Sequence, residues 1–173
     1  MKIKVVQIGD IQPNIIDIII KDLNKKFKSK FFKGEKIEVP EKFYNKFKRQ
    51  YDGGSIIKIL KNKECDKVIG LTSHDLFYME LNFVFGLAKK DACIISTARL
   101  DPQFYGENPN FDLLIKRTMK EVIHELGHMF GLDHCNNPNC VMSFSNSVSY
   151  VDDKTDEFCK DCILKISTEG LKI

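Results

Sequence analysis

One predicted helix constrains the fold of this chain more than anything else in the sequence. From Phe111 onward apolar residues recur at helical spacing through Leu113, Leu114, Met119, Val122, Ile123, Leu126 and Met129, until Gly131 ends the pattern. The rest of the chain must cover the apolar side of such a helix. The same helix leads into VIHELGHMFGLDHC, Val122 to Cys135, which packs three of the four histidines into eleven residues. His124 and His128 are four apart, so both rings leave one face, a turn apart. That spacing offers two nitrogens to one zinc at roughly 2.0–2.1 Å. Glu125 adjoins a ligand but points off the ligand axis, where it can hold the water a metal activates and act as general base. Gly131 can take φ > 0, end the helix and swing His134 round as a third ligand. Three protein ligands leave the open position that a catalytic zinc needs.

The plain alternative is a helix with two ordinary histidines, since H-E-x-x-H does arise by chance. The added G-x-x-H at the required offset argues against coincidence. The full pattern, His124-Glu125-x-x-His128-x-x-Gly131-x-x-His134, resembles the metzincin clan of zinc endopeptidases.

Four of the six cysteines, Cys135, Cys140, Cys159 and Cys162, crowd the last 39 residues. In a chain expected to be cytoplasmic, thiols or metal ligands are favoured over disulfides. Two close pairs of thiolates suit a closed tetrahedral zinc site. A thioredoxin-like redox pair at Cys159-x-x-Cys162 is the rival, but VDDKTDEF precedes it where that motif expects a strand. A structural pair with two buried free thiols is a further alternative.

Cys135 directly after the third histidine, then Cys140-Val141-Met142 and a final CxxC, looks like the archaemetzincin family in particular. Fainter echoes are RQYDGGSI (49–56), LNFVFGLA (81–88) and FSNSV (144–148). The resemblance implies two zinc ions per chain. One is catalytic on His124, His128 and His134 with Glu125 as base; the other is structural on Cys135, Cys140, Cys159 and Cys162. It also implies that Met142 forms the methionine turn beneath the catalytic metal, although on its own Met142 reads as ordinary core. The implied fold is α/β: a mixed, mostly parallel sheet with an antiparallel edge strand, packed on the active-site helix. A short zinc-stabilised C-terminal part completes it.

The remaining elements agree with that class. Ile3 to Ile8 reads as a buried strand, and Pro13 as the opening of a helix that runs to Phe27. Lys36 to Val39 is a short strand candidate closed by Pro40. Gly53-Gly54 reads as a turn before a short helix in SIIKILKNK, and Lys67 to Leu71 as another strand. Leu81 to Ala88 and Ala92 to Thr97, separated by Lys89-Lys90-Asp91, should form an antiparallel hairpin. The first of these is expected at the sheet edge, where an extended peptide can add as a further strand. With 173 residues the chain fits a single domain, 1–131 forming the α/β part with the helix and 132–173 the zinc-binding part.

His74 is read as a surface residue, and Cys65 and Cys93 as lacking metal partners, with Cys93 in core packing. Tyr150 is a candidate for polarising a substrate carbonyl, as a tyrosine after the methionine turn does in some of the metzincins this chain resembles. The chain's apolar start, broken by Lys2, Lys4 and Asp10, is too short for a signal peptide, and no apolar run is long enough for a membrane helix. Between Lys21 and Arg49 eleven Lys/Arg face four Asp/Glu, with phenylalanines interleaved. A solvated face explains this better than a nucleic-acid surface.

Two functions compete. The first is a zinc peptidase acting on a peptide or protein as a cytoplasmic monomer, with no membrane or nucleic-acid partner. The second is a non-catalytic zinc module able to grip nucleic acid, in which the histidine site is vestigial. Glu125 favours the first, because pure metal binding has no use for it. A C-terminal tail rich in Asn and Ser, with few apolar anchors, further predicts that the cysteine zinc orders His134. On that reading Cys159→Ser weakens both metals.

Overall fold

Strand β1 (Lys2–Ile8) is buried on both faces, with Ile3 and Val5 to one side and Val6 and Ile8 to the other. This is the pattern of a central strand in a covered parallel sheet. The structure, a computed structural model, describes residues 1–60 and 64–173. Helix α1 (Ile15–Lys26) follows and buries Ile15, Ile16, Ile19 and Leu23. It starts after Asn14, whose φ of 69° turns the chain, so Pro13 precedes the helix instead of opening it.

Strand β2 is Lys30–Lys33, not Lys36–Val39, where Ile37 alone makes a single bridge to Ile8. Phe31 decides the matter by burying against Phe27, with ring centroids 6.0 Å apart, whereas Lys36 reaches outward to Asp10 and Glu38. After β3 (Tyr44–Asn45) and β4 (Gln50–Asp52) comes α2 (Gly53–Ile59). Gly53-Gly54 is thus the first turn of a helix and not a free turn. The Asp52 carboxylate accepts from Gly54 N at 2.9 Å, and a Cβ on Gly54 would lie 2.8 Å from the Tyr78 ring. The last three residues of the expected helix, 61–63, lie outside the described residues.

Strands β5 (Lys67–Thr72), β6 (Leu76–Tyr78), β7 (Leu81–Val84), β8 (Gly86–Lys89) and β9 (Ala92–Ser96) complete two sheets. The main sheet has the order β2-β1-β5-β9-β8, parallel except for β8, which pairs antiparallel with β9 at the edge. This is the expected mixed sheet, and the expected hairpin closes it. The small sheet, β3-β4-β6-β7, has no counterpart in the sequence reading.

The strand expected over 81–88 is two strands in two sheets. Phe85 breaks it by turning into the main core, while its carbonyl accepts from Ser96 N at 2.8 Å. Each half is nevertheless an edge, since β7 pairs only with β6 and β8 only with β9 among the described residues.

Helix α3 (Phe111–Met129) is capped by Asn110, whose side chain accepts from Leu113 N at 3.0 Å. It packs beside α1 on one face of the main sheet, over β8 and β9, and α2 lies on the other. The tail is better built than its composition suggests. It holds α4 (Val148–Asp153) and α5 (Lys160–Thr168), and Val141, Met142, Val151, Phe158, Ile166 and Leu171 all enter the main core. No helix among the described residues is long and apolar enough to cross a membrane.

Candidate metal centres and cleft

On α3 the apolar face holds Leu114, Val122, Ile123 and Leu126 in the core, and this burial fixes the directions of the residues between them. His124 and His128 project together into a cleft of about 620 Å³. The αL turn at Gly131, φ 79°, reverses the chain and brings His134 back to them. His124 Nδ1 lies 2.8 Å from Val141 O, and His128 Nδ1 lies 2.7 Å from Leu132 O. A carbonyl accepts only from a protonated nitrogen, so in the neutral rings the proton sits on Nδ1 and both Nε2 atoms are bare, facing each other 3.1 Å apart. Ligand atoms of His124, His128 and His134 lie within 4.8 Å of one another. Burial pushes the His124 and His134 rings below the ordinary imidazole range and so toward the neutral, ligating form. Bare nitrogens converging on one point are a donor set for a cation such as zinc.

Glu125 lines the same cleft and is almost wholly buried. Burial first, and then the charge of Glu121, holds its carboxyl well above the ordinary carboxylate range, with Lys154 opposing. Gly86 at the start of β8 makes the room: a Cβ there would lie 2.6 Å from both Cγ and Oε1 of Glu125. Beneath α3, Met142 is fully buried against Gly127, where any Cβ would overlap its sulfur.

The four tail cysteines also meet. Cys135 Sγ and Cys159 Sγ are 3.8 Å apart, as are Cys140 Sγ and Cys162 Sγ. Sulfurs at the corners of a tetrahedron, each about 2.3 Å from a central zinc, stand about 3.8 Å apart. The backbone supports two of them: Asn137 N donates to Cys135 Sγ at 3.4 Å and Cys159 N to Cys140 Sγ at 3.3 Å. Cys159 and Cys162 do open a helix, α5, but they follow a loop, and their sulfurs turn to the other cysteines.

These two centres decide the comparison with known proteins. The sequence model of peptidase family M54 matches residues 5–168. An archaemetzincin of Methanocaldococcus jannaschii is 44% identical over all of this chain and 97% of its own length. The chain belongs to peptidase family M54, the archaemetzincins. The crystal structure of the archaemetzincin of Methanopyrus kandleri superposes with a TM-score of 0.86 at 36% identity, covering 98% of this chain and 94% of that one. A zinc-dependent peptidase of Methanocorpusculum labreanum superposes at 0.83 with 25% identity, over 95% and 99% of the two chains. Family membership makes the chain a zinc metallopeptidase, a hydrolase of peptide bonds, and carries the mostly parallel α/β fold with it.

All seven ligand candidates of this archaemetzincin therefore fall into the two groups expected, with Glu125 and Met142 beside the histidines. Tyr150 does not join them: it lies on α4, more than half exposed, and is not part of the cleft wall. His74 is half-buried between Gly9 and the Tyr51 ring. Cys93 is sealed in the sheet, with its thiol pushed up by burial, and Cys65 donates to Lys67 O at 3.3 Å. Sequence reasoning missed Glu121, buried one turn before Glu125, and Lys154, which meets it at 2.9 Å. A glutamate on the core-facing side of a helix was a visible signal for the first. Lys154 gave none.

Proposed function

We propose that His124, His128 and His134 hold a catalytic zinc through Nε2, that Glu125 is the general base, and that Cys135, Cys140, Cys159 and Cys162 hold a structural zinc. The observation that carries this reading is the pair of bare Nε2 atoms, with both Nδ1 protons committed to backbone carbonyls, beside a buried carboxyl. When bound, the catalytic zinc supplies Lewis-acid polarisation and makes water acidic enough to react near neutral pH. Glu125, lining the same cleft, would serve as proton acceptor for an attacking water and as proton donor to the leaving amine. Val141 O and Leu132 O keep the two imidazoles turned toward the ion.

The substrate is a peptide or protein segment lying extended along Leu81–Ala88, both halves of which are unpaired edges on the cleft side. Phe83, Val84, Leu87, Leu132 and Phe144 give the cleft an apolar wall. Its charged members are the acids Glu121, Glu125 and Asp133, with no Lys or Arg among the described lining residues. Apolar side chains are therefore preferred in the substrate, and acidic ones are disfavoured near Asp133. The enzyme is placed as a single-domain monomer in the cytoplasm, with no nucleic-acid or membrane partner.

A peptide-library cleavage assay on zinc-loaded protein beside Glu125→Gln is the test. Loss of about 10²–10⁴-fold in rate with zinc content unchanged is expected. Undiminished cleavage by Glu125→Gln would place the chemistry elsewhere.

A further inference from the structure

Lys154 is the most deeply buried lysine among the described residues, 2% exposed at the C-terminus of α4. Its ammonium lies 2.9 Å from Glu121 Oε1, 3.3 Å from Ser143 O and 3.5 Å from His124 Nδ1. Glu121 is itself 3% exposed and borders the cleft one turn before Glu125. Its Oε1 has no aligned hydrogen bond, so Lys154 meets it as a charge. A buried ion pair is a weak source of stability, since desolvation offsets most of its attraction and an apolar pair often serves as well. Docking α4 onto α3 does not need it either. Arg117 already makes a two-pronged contact with Asp152 at 2.8 and 2.7 Å, and Lys120 Nζ donates to Val151 O and Asp152 O at 2.8 Å.

What Lys154 does reach is the catalytic machinery from behind. It joins Glu121, on the floor of the cleft, to the Ser143 carbonyl that leads into the Phe144–Asn146 wall, and it passes beside the His124 ring without bonding to it. We propose that Lys154 and Glu121 are positioning residues for the histidine metal site: the buried pair clamps the cleft wall to α3 directly behind His124 and so holds the turn of helix that carries this ligand. Partners of this kind behind a metal ligand govern affinity by about 10- to 100-fold. The inference rests on the three histidines being metal ligands, and its readout is the metal itself rather than turnover.

The test loads cobalt(II) in place of zinc. Thiolate-to-cobalt charge-transfer bands report the cysteine site, and the weaker visible bands of nitrogen-ligated cobalt report the histidine site. Lys154→Met alone strands a buried carboxylate and is expected to fold poorly. The decisive protein is therefore the double variant Lys154→Met, Glu121→Gln, which removes both charges. It should keep the cysteine-site band at native affinity while its histidine site binds cobalt about 10- to 100-fold more weakly, with shifted visible bands. Native affinity and bands at the histidine site would overturn the proposal. Loss of both sites together would also overturn it, by assigning the pair to the stability of the fold. His128→Ala tests the underlying reading separately, because it must abolish the histidine-site bands while sparing the cysteine site.

Discussion

The histidine centre and the cysteine centre meet at the peptide bond between His134 and Cys135, yet they are assembled in opposite ways. His124 and His128 stand on a helix whose other face is locked in the main core, and carbonyls of Val141 and Leu132 set their rings. The frame for a metal is thus built by packing. Cys135, Cys140, Cys159 and Cys162 come from a loop and the start of α5; Cys140 and Cys162 are buried in the main core, Cys135 and Cys159 pack against it, and the sulfurs of each close pair stand 3.8 Å apart. The histidine rings are each oriented by a backbone carbonyl, whereas the cysteine sulfurs are gathered against one another, where four thiolates would repel without a cation between them. A structural metal therefore contributes to folding, whereas a catalytic one is received by a fold already formed.

The sharpest way to break this contrast is thermal unfolding. Cys140→Ser, at a buried ligand, should cost on the order of 4 kcal/mol or more, roughly 8–16 °C in a chain of this size. His128→Ala, at the rim of the cleft, should shift the midpoint by less than a third of that. Equal shifts would show that both metals support the fold alike.

Next comes Gly86→Ala. A Cβ 2.6 Å from Glu125 must push the carboxyl aside, because the buried chain has little space to yield. Displacing a reacting group by about 1 Å costs roughly 10²-fold, so kcat should fall by about that factor with cobalt affinity near native. An unchanged kcat would mean that Glu125 acts from another position.

Third is the coupling between the centres. The sequence-based expectation that Cys159→Ser weakens both metals assumed a poorly anchored tail. Val141, Met142, Phe158 and Ile166 instead pin that tail, and Cys135 N donates to Met142 O at 2.9 Å. The effect on the histidine site should then pass through His134 alone and stay within about tenfold, below the usual ceiling for outer partners. A larger loss, measured by competition with a chelator, would restore the stronger coupling.

The smallest effect concerns the wall. Phe144 is 59% exposed and meets the His134 ring edge-on at 5.0 Å. Phe144→Ala should leave the unfolding midpoint in place and raise KM for peptides with apolar side chains roughly two- to tenfold, the worth of one aromatic contact of about 0.5–1.5 kcal/mol. A change confined to kcat would assign Phe144 to the metal ligand and not to the substrate.

Local spacing made most of the site legible. The i, i+4 histidines, the αL glycine and the paired cysteines are short-range patterns whose geometry the backbone itself dictates. Signals that depend on distant neighbours were hidden. Lys30–Lys33 looked like a charged stretch because its pairing with β1 lies 28 residues upstream, as in Lys2 with Lys30. Leu81 to Ala88 reads as one strand because nothing local says that Phe85 must enter a core while Glu125 needs the space beside Gly86. Lys154 is 30 residues from His124 and ends a six-residue helix in a polar tail, so only the folded chain brings it near the metal ligands.

The bare backbone at Gly86 also bears on how much the histidine pattern can tell. The histidine pattern states only that a metal can be held. Whether the glutamate inside that pattern has a seat is decided some forty residues earlier, at the junction between two strands that belong to different sheets. In this chain a bulky residue at that junction would leave every ligand in place and the base without its seat.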